Sequence, residues 1–101
     1  MDSFTISFKN QNRIINNEVE ITSIGFRPAS DKRNLQGFPR RMVWSNREYT
    51  FAEQGMQYLV RKGQHLVRLF DVRDSQGATY RLRQEGNHWT LVTIKSAGAL
   101  A

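Results

Sequence analysis

Apolar and polar residues alternate along most of this chain with the two-residue period of a half-buried strand. Phe4-Thr5-Ile6-Ser7-Phe8 predicts a strand with Phe4, Ile6 and Phe8 facing inward, and Glu18-Val19-Glu20-Ile21-Thr22 predicts a second that pairs with it. Between them, Asn10 to Asn17 is rich in Asn and Gln, broken only by Ile14-Ile15, and predicts a turn. Met42-Val43-Trp44 and Glu48-Tyr49 flank Ser45-Asn46-Arg47 as a short hairpin.

The C-terminal third predicts a three-stranded antiparallel meander: His65 to Val72, Ala78 to Gln84 and Asn87 to Ile94. With Asp74 to Gly77 as a four-residue loop, Leu69 faces Leu82 and Arg68 faces Arg83. With Glu85-Gly86 as a two-residue turn, Leu82 faces Trp89, Tyr80 faces Leu91 and Arg83 faces His88. One face is then apolar, with Val67, Leu69, Tyr80, Leu82, Trp89 and Leu91, and the other gathers Arg68, Arg81, Arg83 and His88. Opposed like charges destabilise a sheet, so this cluster calls for an anion, a carboxylate from elsewhere in the chain, or solvent.

The period changes over Thr50 to Lys62. Phe51, Ala52, Gly55, Met56, Leu59 and Val60 fall on one face of a helix. Thr50 with Glu53 matches a capping box, Arg61-Lys62 suits a helix C-terminus, and Gly63 suits the position after it. Gly55 costs about 1 kcal/mol inside a helix and implies close packing. The alternative is an extended strand through Met56 to Val60. The fold class predicted is α+β: a mostly antiparallel sheet or small, partly open barrel, one helix near 51–62, and the C-terminal meander. Residues 1–95 make one small domain, and 96–101 make a tail.

Composition narrows the function. The chain has 101 residues, no cysteine and a net charge of +6, so disulfides, thiolate metal sites and a cysteine nucleophile are excluded. No apolar run reaches the roughly 20 residues of a membrane span, and the N-terminus lacks the pattern of a signal peptide. The expectation is a soluble cytoplasmic protein with no membrane partner. The positive charge favours an acidic partner, nucleic acid or an acidic protein surface, although basicity also serves solubility alone.

The one long stretch without periodicity, Arg27 to Arg41, holds both prolines and carries Arg27, Lys32, Arg33, Arg40 and Arg41 against Asp31 alone. Loops of this length are usually functional or mobile. It reads either as a segment that wraps a nucleic-acid backbone, with Phe38 or Trp44 to stack on, or as a solvated loop pinned by Leu35 and Phe38. Enzymatic patterns are thin: His65 and His88 have no second ligand at metal spacing, and there is no nucleophile elbow or phosphate loop. No cofactor, metal or catalytic residue is expected. His88 beside Arg81 and Arg83 fits a metal-independent ribonuclease toxin as well as an inert polar face. The aromatics Trp44, Tyr49, Phe70, Tyr80 and Trp89 read as core before they read as a base-stacking platform.

From Pro39 onward the chain has a cadence: Val43-Trp44-Ser45-Asn46-Arg47-Glu48-Tyr49, then Leu69-Phe70-Asp71-Val72-Arg73, then Gly77-Ala78-Thr79-Tyr80-Arg81-Leu82, then Trp89-Thr90-Leu91. This resembles a small domain family of unknown function. Its members stand alone or form the C-terminal module of the inactive Y-family polymerase homologue of bacterial mutagenesis cassettes. Trp44, Arg47, Tyr49, Val72, Arg73, Gly77, Tyr80, Leu82, Trp89 and Leu91 occupy that family's positions, and Asn46 stands where the family has a turn glycine. The resemblance covers about half the chain and implies an accessory role near DNA metabolism in a bacterium, with no catalytic residues.

Together these readings predict a small accessory domain that binds nucleic acid without sequence preference. The predicted contacts are Arg68, Arg81, Arg83, His88, Lys32, Arg33, Arg40 and Arg41. The alternatives are a protein-interaction module, whose partner offers an acidic surface or adds a strand at a sheet edge, and the ribonuclease toxin.

Overall fold

Every regular element among residues 12–27 and 36–96, the part of the chain described by the computed structural model, is a β-strand. In chain order they are β1 (Asn12–Arg27), β2 (Gln36–Trp44), β3 (Arg47–Thr50), β4 (Glu53–Lys62), β5 (His65–Arg73), β6 (Thr79–Glu85) and β7 (His88–Lys95). They form one open antiparallel sheet in the order β3-β2-β1-β7-β6-β5-β4.

The sheet turns over on itself at β1, whose first half pairs with β7 and whose second half pairs with β2. Phe51 and Ala52 make the return crossing. The Phe51 N–H donates to the Arg40 carbonyl at 2.8 Å, and the Ala52 N–H donates to the Arg73 carbonyl at 2.8 Å. The two outermost strands, β3 and β4, are therefore consecutive in the chain. The inner faces enclose a core of Val19, Phe38, Met42, Phe51, Phe70, Val72, Tyr80, Leu82, Leu91 and Ile94. Tilted aromatic contacts link its layers, Phe51 to Tyr80 at 5.1 Å and Phe70 to Trp89 at 5.4 Å between ring centroids.

The α+β expectation is overturned, since no helix occurs among the described residues and 53–62 is strand β4. Only Phe51 of the predicted helical face is buried, while Met56 and Leu59 are 60% and 62% exposed. The signals that resembled helix caps serve other purposes. Gly63 has φ +63° and opens a two-residue turn that pairs Lys62 with His65, which makes β4–β5 a hairpin. Gly55 lies in a β-bulge, where an added Cβ comes within 3.1 Å of the Asp71 carbonyl oxygen.

Residues 12–17 are likewise strand rather than turn. Asn16, at φ +54°, sits in a bulge between Ile14 and Asn17, so the asparagine-rich signal marks a kink in β1. Of the aperiodic stretch, Arg27 ends β1 and Gln36 to Arg41 belong to β2. Pro39 is tolerated in β2 because it lies opposite Ile24, beside an irregularity in the pairing. The strand predicted at Phe4–Phe8 and the tail from residue 97 lie outside the described residues.

The meander strands are consecutive neighbours, but their register differs from the predicted one. The β5–β6 loop has five residues, pairing Arg73 with Thr79 and Phe70 with Leu82, and this one-residue slip reverses β5. Phe70 and Val72 enter the core instead of Leu69, and Val67 is buried outside the main cluster. The β6–β7 turn is Gly86-Asn87, which pairs Glu85 with His88, Gln84 with Trp89 and Leu82 with Leu91. That slip is two residues near the turn, so β7 keeps its faces.

Two substitutions test residues 51–62, and the second separates strand from helix. Phe51→Ala is expected to cost about 3–5 kcal/mol in urea denaturation as a large-to-small core change. Gly55→Ala, which would stabilise a helix by about 1 kcal/mol, is expected to destabilise this protein by about 1 kcal/mol or more, because Asp71 belongs to a strand paired on both sides.

Candidate functional site

The predicted basic face is divided by the observed register. Residues paired across an antiparallel sheet share a face. Arg81 pairs with Asp71 and Thr93, and Arg83 with Leu69 and Thr90, so both lie on the outer face. Arg68 pairs with Gln84 and Leu59, which places it on the other face, beyond the point where burial stops at Phe70.

Four outer-face cations, Arg73, Arg81, Arg83 and His88, have carboxylates beside them. Arg81 donates from Nε to Asp71 Oδ1 at 2.8 Å and from Nη2 to Asp71 Oδ2 at 2.9 Å, a bidentate fork. Its Nη2 also reaches the Tyr58 hydroxyl at 3.4 Å, and the guanidinium lies 5.2 Å from the Tyr58 ring centroid. The hydrogen bonds to Asp71 hold the Arg81 pKa above its ordinary value. Arg83 Nε stands 3.6 Å from Glu85 Oε1, and His88 Nδ1 stands 3.2 Å from Glu18 Oε2. Arg73 pairs with Glu53 at 3.4 Å across the β4–β5 hairpin. The last three are exposed pairs of small energetic weight. What the outer face presents is a mixed-charge surface.

Arg40 and Arg41 are exposed on β2, Arg41 opposite Ser23 and Thr50, with Glu20 and Glu48 on either side of the adjacent Val43. Lys32 and Arg33 lie outside the described residues. The histidines converge more than their spacing suggested. His65 and His88 line one shallow depression with Glu18, Glu85 and Arg83. Among the described residues no group of three or more His, Asp or Glu side chains is placed to hold a metal ion, and no helix is long and apolar enough to cross a membrane.

A different surface collects what the sequence dispersed. At the tip of the β4–β5 hairpin the register puts Leu59, Arg61, Leu66 and Arg68 on one face, with Lys62 beside them. Leu59 is 62% and Leu66 52% exposed, and Met56 and Val60 are also exposed. None of the ion pairs among the described residues involves Arg61, Lys62 or Arg68. Of the residues on this surface, Met56, Leu59 and Val60 are positions that the helix reading assigned to an apolar face, and Arg61 and Lys62 to its C-terminal end. The signal that could have found them is Gly63-Gln64 at the centre of two apolar-basic runs of strand length, a hairpin pattern.

Tyr80 links this architecture to pH. Burial first, and then the hydrogen bond from its hydroxyl to Asp74 Oδ2 at 3.0 Å, push its pKa up to about 12 from 10.0. The phenol therefore ionises in the unfolded chain before it ionises in the folded one. Stability is expected to fall as pH rises above about 10, and Tyr80→Phe, although less stable at neutral pH, is expected to lose less between pH 8 and 11 in chemical denaturation.

Comparison with known proteins yields no match: no family model, no curated protein and no solved structure is similar to this chain.

Proposed function

We propose that this chain is a non-enzymatic interaction module that accepts an added strand along the outer edge of β4. The observation that carries the reading is β4 itself, a ten-residue strand at the end of the sheet order with Met56, Leu59 and Val60 exposed. Natural edge strands are kept short, charged, bulged or covered because their unpaired N–H and C=O groups template pairing. Here the bulge near Gly55 and the charges at Arg61-Lys62 guard the two ends, while Gln57 to Val60 have no strand on that side among the described residues. An added strand gains main-chain hydrogen bonds along this stretch, and the exposed apolar side chains supply contacts beside it.

Nucleic acid is the second reading, and one observation favours it: Arg61, Lys62 and Arg68 stand together on the same hairpin without a carboxylate partner among the described residues. Against it, Arg73, Arg81, Arg83 and His88 of the outer face have acids beside them, and exposed residues next to the three cations are aliphatic, which suits a protein partner better than bases. The apolar edge and adjacent cations fit an extended protein segment with alternating apolar and acidic residues.

Fluorescence anisotropy separates the two readings. A labelled peptide of alternating valine and glutamate is expected to bind saturably, with Leu59→Lys weakening it by about tenfold or more, the equivalent of about 1.4 kcal/mol. A mixed-sequence single-stranded oligonucleotide is expected to bind weakly and to be insensitive to Leu59→Lys. Oligonucleotide binding whose logarithm falls linearly with log salt at about −0.7 per phosphate, without peptide binding, overturns this reading in favour of nucleic acid.

A further inference from the structure

Resting on the edge-strand reading above, we infer that the strand added at β4 is β4 of a second copy of this chain, paired antiparallel across a twofold axis at Tyr58. A strand can pair with its own copy in this way only if it complements its own reverse. β4 does. It begins with Glu53, ends with Arg61-Lys62, and holds the exposed Met56, Leu59 and Val60 between them. Antiparallel pairing about Tyr58, with the bulge near Gly55 taking up one residue, sets Gln57 of each copy against Leu59 of the other and Glu53 against Lys62, twice per dimer, and Glu53 and Lys62 share the outer face. Parallel pairing in register instead sets Glu53 against Glu53 and Arg61 against Arg61, and directly opposed like charges destabilise a sheet. The order of charges along the strand thus selects both partner and direction.

Three further features fit this arrangement. Glu53 and its intrachain partner Arg73 are both substantially exposed, so the carboxylate has room to accept from a second cation. Of the three buried side-chain polar atoms without a hydrogen-bond partner among the described residues, Gln54 Oε1 and Gln57 Nε2 belong to β4. An incoming strand gives those amides groups to turn toward. Among the described residues, no strand pairs with the outer edge of β4. The association removes the exposed edge that otherwise invites open-ended aggregation, because a twofold contact closes on itself.

Sedimentation equilibrium of the full chain over micromolar to high micromolar concentrations tests the inference, with far-UV circular dichroism confirming that each variant keeps its strand content. A monomer–dimer equilibrium is expected. Leu59→Lys is expected to weaken it, and Glu53→Lys or Lys62→Glu alone to weaken it by about tenfold. The double variant Glu53→Lys with Lys62→Glu is expected to restore most of the affinity, because each introduced lysine again meets an introduced glutamate. Hydrogen exchange should show outward amides of β4 protected in the dimer and unprotected on dilution.

A chain that stays monomeric throughout the range overturns the inference. If that monomer still binds the valine–glutamate peptide, the edge-strand function survives with a different partner; if it does not, both fall. A dimer indifferent to Leu59→Lys and to the charge exchange lies elsewhere on the molecule and overturns the inference. So does protection of the β4 edge in the monomer, since the edge is then covered from within the chain.

Discussion

Asp74 holds the connection between β5 and β6, and the faces of the sheet follow from it. Its Oδ1 accepts from the backbone N–H groups of Gln76 and Ala78, each at 2.9 Å, and its Oδ2 accepts from the Tyr80 hydroxyl. Its own N–H donates to the Ala78 carbonyl at 3.0 Å. These bonds close a five-residue loop in which Gly77 takes φ +90°. An aspartate that bonds the backbone ahead of it is a local device, yet its consequence is global. A loop one residue shorter exchanges the two faces of β5. Because the loop has five residues, Phe70 and Val72 enter the core, Asp71 meets Arg81, and Arg68 is carried to the opposite face.

The charge map is a consequence of that register. A net charge of +6 on 101 residues invites the picture of a basic face, but charge on a sheet is distributed by pairing. Arg81 lies across from Asp71 and the next outer residue of β6, Arg83, lies near Glu85. Three described cations outside these pairs, Arg61, Lys62 and Arg68, stand where the β4–β5 hairpin extends past the buried core, among exposed aliphatic side chains. A surface that is apolar, basic and bordered by an open strand edge differs in kind from one that is basic alone. Its chemistry suits strand addition, with side-chain charges setting direction and main-chain groups supplying the bonds.

The residues that carry the cadence from Trp44 to Leu91 sit mostly in or against the core. Tyr80, Leu82 and Leu91 are buried in it, and Trp44, Tyr49 and Trp89 pack against it. Rings of Trp44, Tyr49, Tyr80 and Phe51 follow one another at centroid separations of 5.9, 5.9 and 5.1 Å, tying the β2–β3 layer to β6 across the fold. That cadence therefore describes how the two halves of the sheet are held together. Its exposed charges are few, Arg47 and Arg73 among them, and the exposed β4–β5 tip lies in the interval it skips.

The sequence by itself determined the strand character of β5, β6 and β7, a hairpin around Ser45-Asn46-Arg47, of which Arg47 proves to be strand, and the absence of thiol chemistry, because period-two alternation and turn residues are local and their physics needs no distant partner. Asn46 and Ser45 take φ +62° and +52°, the left-handed conformation that such a turn demands. Only the tertiary structure decided the rest. The run from Phe51 to Lys62 fits helix and strand alike in its spacing, and the choice belongs to β5, which offers a paired edge and leaves Gly55 room only for hydrogen. The asparagine-rich start of β1 and the proline in β2 signal interruption, but long-range pairing absorbed both as bulges. Which arginines face one another depended on a single loop residue, since the side-chain period of two magnifies the smallest error in length into a reversal of faces.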